Sequence, residues 1–176
     1  SCVILKLDIM DNGRFNLPPL FDMQREMDDV PEQVIFADGG CQVGTGSSAA
    51  GLAVRFPAVG PVWRRDYTRT APYPTESEEK HSHFYATSPV NAMEVVALTA
   101  ALRVAIRTKK RSLIVMDSKN ALNWLLGRYN VANKVIKPLV TVSKDLYAQC
   151  AGYVFLARMN RSDNNPADAV VKTAMN

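Results

Sequence analysis

Two short apolar runs limit what this chain can fold into more than any other feature. Val34-Ile35-Phe36-Ala37 and Leu113-Ile114-Val115-Met116 are each rich in aliphatic side chains, and each is closed by an aspartate, Asp38 and Asp117. Runs of this length without polar alternation read as strands buried on both faces, as in an α/β sheet. Ligands of such sheets bind outside the carboxyl ends of the strands. If the two runs are parallel neighbours, both carboxylates emerge side by side at that end. Each aspartate also has a plainer reading. Asp117 would cap a helix starting at Ser118, and Asp38 would open a turn at Gly39-Gly40.

The flanking pattern supplies the rest of the order. Residues 51–56 and 62–67 read as two further strands, forming an antiparallel meander with the first. Residues 71–89 carry Pro72, Pro74 and Pro89 among polar side chains and read as an inserted surface loop. A long helix is expected over 91–107, then the strand at 113–116, a helix to about 126, another over 132–148 and a strand at 152–156. Asn165-Pro166 opens a terminal helix, with Asn as N-cap and Pro at the first helical position. The order β-β-β-α-β-α-α-β-α predicts an α/β domain over residues 33–176. Its expected sheet is mixed and five-stranded, three strands antiparallel and two parallel, flanked by helices. Residues 1–32, with Pro18-Pro19 and acids at Asp22, Glu26, Asp28, Asp29 and Glu32, read as an N-terminal connector.

Glu94 stands out within the long helix. At 100° per residue it shares a face with Val90, Ala97, Leu98, Ala101 and Ala105, while Arg103, Thr99 and Arg107 lie opposite. A carboxylate on the apolar face costs several kcal/mol unless something compensates it. An internal arginine would serve, as would a cation shared with Asp38 and Asp117. Asp168 is the third residue of the terminal helix, where an acid also simply favours the helix dipole.

Composition narrows the class. A length of 176 residues with 47% hydrophobic content suits one globular domain. No apolar run approaches the ~20 residues of a bilayer span, so no membrane partner is expected. The first residues lack signal-peptide features, and Cys2, Cys41 and Cys150 form no CxxC pair. An intracellular setting, cytoplasmic or nuclear, is expected. Residues 1–94 hold 8 Lys/Arg and 13 Asp/Glu, whereas residues 95–176 hold 13 and 4. This asymmetry favours a polyanionic partner. Lys119 and the run Arg107 to Arg111 are the leading candidates for phosphate contacts, although such a run at a helix end also reads as merely solvated. His81-Ser82-His83 has no partner cluster and reads as surface loop.

Four stretches, "VIFADGGC", "NAMEVVALTAALRVA", "LIVMDSKNAL" and "RSDNNPADAVV", together resemble the type I ribonuclease H family. They are similar to its first-strand Asp-Gly motif, its helix Glu preceded by Asn, its Asp-Ser at the fourth strand and its terminal Ala-Asp helix. The resemblance spans about residues 33–176. It implies that Asp38, Glu94, Asp117 and Asp168 are catalytic, metal-binding carboxylates holding two Mg²⁺ ions, with Mn²⁺ as a substitute. It implies hydrolysis of the RNA strand of an RNA–DNA hybrid, leaving a 5′-phosphate. Nucleic-acid contacts are implied for Gly39, Gly40, Cys41, Asn91, Lys119, Asn120 and Arg161.

Many cellular members carry a mobile His before the terminal Asp, whereas the segment 158–164 here has none. Its pattern Arg161-x-x-Asn164-x-x-Ala167-Asp168 is similar to retroelement and plant reverse-transcriptase-like members. The stretch 128–148 is too short for the basic protrusion of many cellular enzymes. Both departures point to a domain of a reverse transcriptase, with an upstream polymerase domain as partner. Two rival functions are a catalytically inactive scaffold of the same fold and a nuclease acting on DNA.

Overall fold

The computed structural model describes residues 4–9, 15–16, 31–42, 48–55, 63–70, 89–160 and 165–175, with side chains over 31–42, 48–55, 90–160 and 165–175. In chain order the strands are β1 (Ile4–Ile9), β2 (Phe15–Asn16), β3 (Gln33–Cys41), β4 (Ser48–Arg55), β5 (Trp63–Thr70), β6 (Ser112–Met116) and β7 (Val154–Met159). The helices are α1 (Pro89–Thr108), α2 (Lys119–Leu125), α3 (Ile136–Cys150) and α4 (Pro166–Met175). From β3 onward this is the order expected. The inserted loop and the His81-Ser82-His83 motif lie outside the described residues.

All the strands join one sheet in the order β2-β1-β7-β6-β3-β4-β5. β3, β4 and β5 form the antiparallel meander, and β3, β6, β7 and β1 run parallel. Among the described residues the sheet therefore has seven strands and not five. The two additional ones come from the stretch that was expected to be connector. Ile4–Ile9 pairs along β7 from Ile4↔Leu156 to Leu7↔Met159, supplying partners to backbone groups that β7 would otherwise expose as an edge.

Alternation along the central strands sends side chains to two separate cores. Ile35, Ala37, Ile114 and Met116 join Met93, Leu98 and Leu102 of α1, Leu122 of α2 and Ile136 of α3. Val34, Phe36, Leu113 and Val115 face the other way, with Ala157, Met159 and Ala167 of α4. Helices α1 to α3 thus cover one face and α4 the other. Both sides of β3 and β6 are buried, which is why these two runs show no polar alternation.

Local chemistry sets the helix boundaries. α1 ends where Lys109 adopts a left-handed φ of 54°, its N–H donating to Ala105 O at 2.9 Å. α2 starts at Ser118, whose Oγ accepts from the Ala121 N–H at 3.1 Å. α3 begins four residues later than expected. Asn133 Oδ1 accepts from the N–H groups of Val135 and Ile136 and so delays the first turn.

Candidate metal centre

The strand register brings the first two carboxylates together. β3 and β6 pair in parallel from Gln33↔Ser112 to Phe36↔Val115. Asp38 and Asp117 each lie two residues beyond that last pair, so they sit at the same level, past the end of the β3–β6 pairing. Neither plainer reading survives. β3 does not turn at Asp38 but stays paired with β4 as far as Cys41↔Ser48, with Asp38 opposite Gly51. The cap of α2 is Ser118 and not Asp117.

Glu94 is delivered by a close approach of α1 to β3. A Cβ at Gly39 would collide with the backbone of Met93 and Glu94. The absence of a side chain at that one position lets the helix backbone rest on the strand, one residue after Asp38. Glu94 is 3% exposed and Asp38 7%. One carboxylate oxygen each from Asp38, Glu94 and Asp117 lies within 4.8 Å of the others.

Asp168 comes from the opposite face of the sheet. Asn165 Oδ1 accepts from the Ala167 N–H at 2.9 Å, capping α4 as its sequence predicts. Its amide nitrogen also donates to Ala37 O at 3.1 Å, which ties the helix start to β3 one residue before Asp38. Asp168 is not in the converging group of three. Its Oδ2 lies 2.9 Å from Lys172 Nζ, one turn along α4.

Electrostatics show the strain of this arrangement. Burial, then the charges of Asp117, Asp168 and Glu94, push the Asp38 carboxyl up to about 8, against the pull of a hydrogen bond from the Gly39 backbone. Two ionised carboxylates this close repel by roughly 3 kcal/mol at an effective dielectric near 20. The donor set is all oxygen, with no His or Cys in the group. That suits a hard divalent cation such as Mg²⁺.

The remaining candidates divide. Asn120 Nδ2 donates to Asn91 Oδ1 at 3.3 Å, joining α2 to α1 three residues from Asp117 and Glu94 respectively. Lys119 is exposed at the start of α2, and the buried Asn123 donates to its carbonyl at 2.8 Å. Gly39 and Gly40 have packing roles: a Cβ on Gly40 would meet Val171 at 2.8 Å and Met175 at 3.2 Å. Cys41 is half-buried, and its Sγ accepts from Ser48 Oγ at 3.4 Å. Arg161 lies outside the described residues. The basic run 107–111 sits at the other end of the sheet from the three carboxylates. Arg107 is thirteen residues along α1 from Glu94, about 20 Å at 1.5 Å per residue, and Arg111 pairs with Glu32 at 3.0 Å. The sequence reading missed Lys172, although its i,i+4 spacing from Asp168 is visible in the sequence.

The sequence matches no protein-family model and no curated protein. Solved structures do resemble the fold. RNase H1 of the halophilic archaeon Halobacterium salinarum NRC-1 is 20% identical, with a TM-score of 0.61 over 81% of this chain and 96% of its own. LC11-RNase H1, isolated from compost and solved in complex with an RNA/DNA hybrid, is 17% identical, with a TM-score of 0.60 over 81% and 96%. The RNase H domain of PFV is 13% identical, with a TM-score of 0.54 over 84% and 96%. With its mixed sheet, its helices on both faces and its acidic group at the carboxyl ends of the parallel strands, the chain has the ribonuclease H-like fold.

Proposed function

We propose that this protein is a metal-dependent endonuclease that hydrolyses the RNA strand of RNA–DNA hybrids, acting as the ribonuclease H domain of a reverse transcriptase. The observation that carries this reading is the convergence of Asp38, Glu94 and Asp117 within 4.8 Å at the carboxyl ends of two adjacent parallel strands. A scaffold has no use for a buried acid on an apolar helix face beside two others.

Asp38, Glu94 and Asp117 would hold the cations, with Asp168 as the fourth ligand. Two bound Mg²⁺ ions supply activation of the attacking water and stabilisation of the leaving 3′-oxygen. The chain's own residues do the rest. The rigid ends of β3 and β6 and the Gly39 contact hold three carboxylates at fixed separation. The acids repel a phosphodiester until cations neutralise them, so activity requires metal. Lys119 offers a charge for a neighbouring phosphate, and the Asn91–Asn120 amide pair offers donors and acceptors to the bases. The likeness to LC11-RNase H1, which binds an RNA/DNA hybrid, supports the substrate. The likeness to the PFV domain supports the reverse transcriptase setting.

The test is cleavage of an end-labelled RNA–DNA hybrid, with double-stranded RNA and DNA as controls. Cleavage of the RNA strand in Mg²⁺, abolished by chelator and reduced about a hundredfold or more by Asp117→Asn, is expected. Cleavage of duplex DNA alone would assign a DNA nuclease, and no cleavage of any substrate would favour the scaffold.

A further inference from the structure

We propose that Lys172 is a built-in counter-cation that holds Asp168 apart from the other three carboxylates and must release it when a divalent cation binds. This rests on the metal-dependent reading above and adds to it a residue that competes with the metal.

Three observations meet at this position. Lys172 Nζ lies 2.9 Å from Asp168 Oδ2, and both side chains are substantially exposed, at 70% and 49%. The converging group contains Asp38, Glu94 and Asp117 without Asp168. The segment of α4 between Asp168 and Lys172 is pressed onto the strands that carry the site. A Cβ on Gly51, which pairs with Asp38, would lie 2.9 Å from Val171 and 3.0 Å from Ala167 O, and one on Gly40 would meet Val171 from the other side. Val171, the residue before Lys172, is thus packed on the two strands beside Asp38.

The consequences follow from charge. Without metal, Lys172 offsets part of the negative charge of the cluster and keeps its fourth acid turned aside. An exposed i,i+4 pair is weak, so a divalent cation can take the carboxylate from it. Metal binding then includes the cost of breaking the pair and of placing cations near a fixed ammonium. Removing that ammonium should tighten metal binding without changing a single ligand.

The experiment is calorimetric titration of the full chain with Mn²⁺, and separately Mg²⁺, without nucleic acid. Wild type is compared with Lys172→Met, Lys172→Arg, Asp168→Asn and the Lys172→Met/Asp168→Asn pair. Lys172→Met should lower Kd roughly three- to tenfold, the scale of one nearby charge acting on a dication through partly screened solvent. Lys172→Arg should stay within about twofold of wild type, and the gain from Lys172→Met should shrink to less than about twofold once Asp168 is Asn. Lys172 is exposed, so its substitution leaves the core untouched, and circular dichroism of each variant checks the fold. Unchanged or weaker binding by Lys172→Met, or an equal gain in both backgrounds, overturns the proposal while leaving the metal site standing. A wild type that binds neither cation overturns both.

Discussion

At the amino ends of β3 and β6, Gln33 is fully buried, and its side-chain amide donates to Thr108 Oγ1 at 2.8 Å and Ser112 Oγ at 2.9 Å. Ser112 Oγ in turn donates to Lys110 O, Arg111 O accepts from the Glu32 and Gln33 backbones, and the Arg111 side chain meets Glu32. At the carboxyl ends of the same two strands, three acids crowd together and a fourth stands beside them. Both ends bury polar groups against α1. One end matches donors to acceptors and opposite charges to each other, whereas the other gathers like charges. The first arrangement stabilises the fold. The second sets like charges against one another, a strain that a bound cation would relieve.

The largest expected difference between the two ends is pH dependence in metal-free protein. An acid held near 8 in the folded chain and near 3.8 in the unfolded chain keeps its proton longer when folded. Its contribution to stability is therefore fully present below about pH 4, declines as pH rises toward 8, and is flat above. The decline should amount to a few kcal/mol, at most about 5. Urea unfolding in chelator from pH 5 to pH 9 should show it in wild type and not in Asp38→Asn, which should be the more stable protein at pH 8. A wild-type profile no steeper than that of the variant would mean that the acidic end carries no strain.

Next in size is the close approach that delivers Glu94. Gly39→Ala sets a methyl group against helix backbone that cannot give way, so a loss of about 3 kcal/mol is expected, together with weaker metal binding as Glu94 shifts. Gly40→Ala meets the side chains of Val171 and Met175, which can rearrange, and should cost about 1 kcal/mol. Equal losses in thermal or urea unfolding would show that the α1–β3 contact is looser than its geometry indicates. The smallest effect belongs to the matched end. Gln33→Ala should cost about 1 kcal/mol, because Ser112 and Thr108 keep their own carbonyl partners, and should leave metal affinity unchanged. A change in metal affinity there would mean that the two ends are coupled.

Much of this was legible in the sequence because it depends on period and on strand ends. The apolar runs before Asp38 and Asp117 marked the two as neighbours at one end of the parallel pair, although β3 runs on past Asp38 to Cys41, and the helical wheel placed Glu94 inward before any contact was known. What stayed hidden depends on contacts between distant segments. Gly39-Gly40 has the signature of a turn, yet β3 runs straight through it, since the glycines are there to admit α1 on one face and α4 on the other. Ile4–Ile9 carries Lys6 and Asp8 among its aliphatic residues, and pairing with the edge of β7 and with β2 makes a strand of it. Asn165 was readable as a cap, but its second bond, to Ala37, crosses 128 positions of sequence. The run 107–111 was readable as a phosphate-contact candidate or a solvated helix end, but only the length of α1 places it about 20 Å from Glu94, at the other end of the sheet.

The central claim is that the acidic end is built for divalent cations. Calorimetric titration of wild type and Asp38→Asn with Mg²⁺ and Mn²⁺, at a pH above 8 where Asp38 is ionised, tests it most directly. The account predicts saturable binding by wild type that Asp38→Asn weakens by about tenfold or more. Equal binding by the two proteins, or none by wild type, would contradict it.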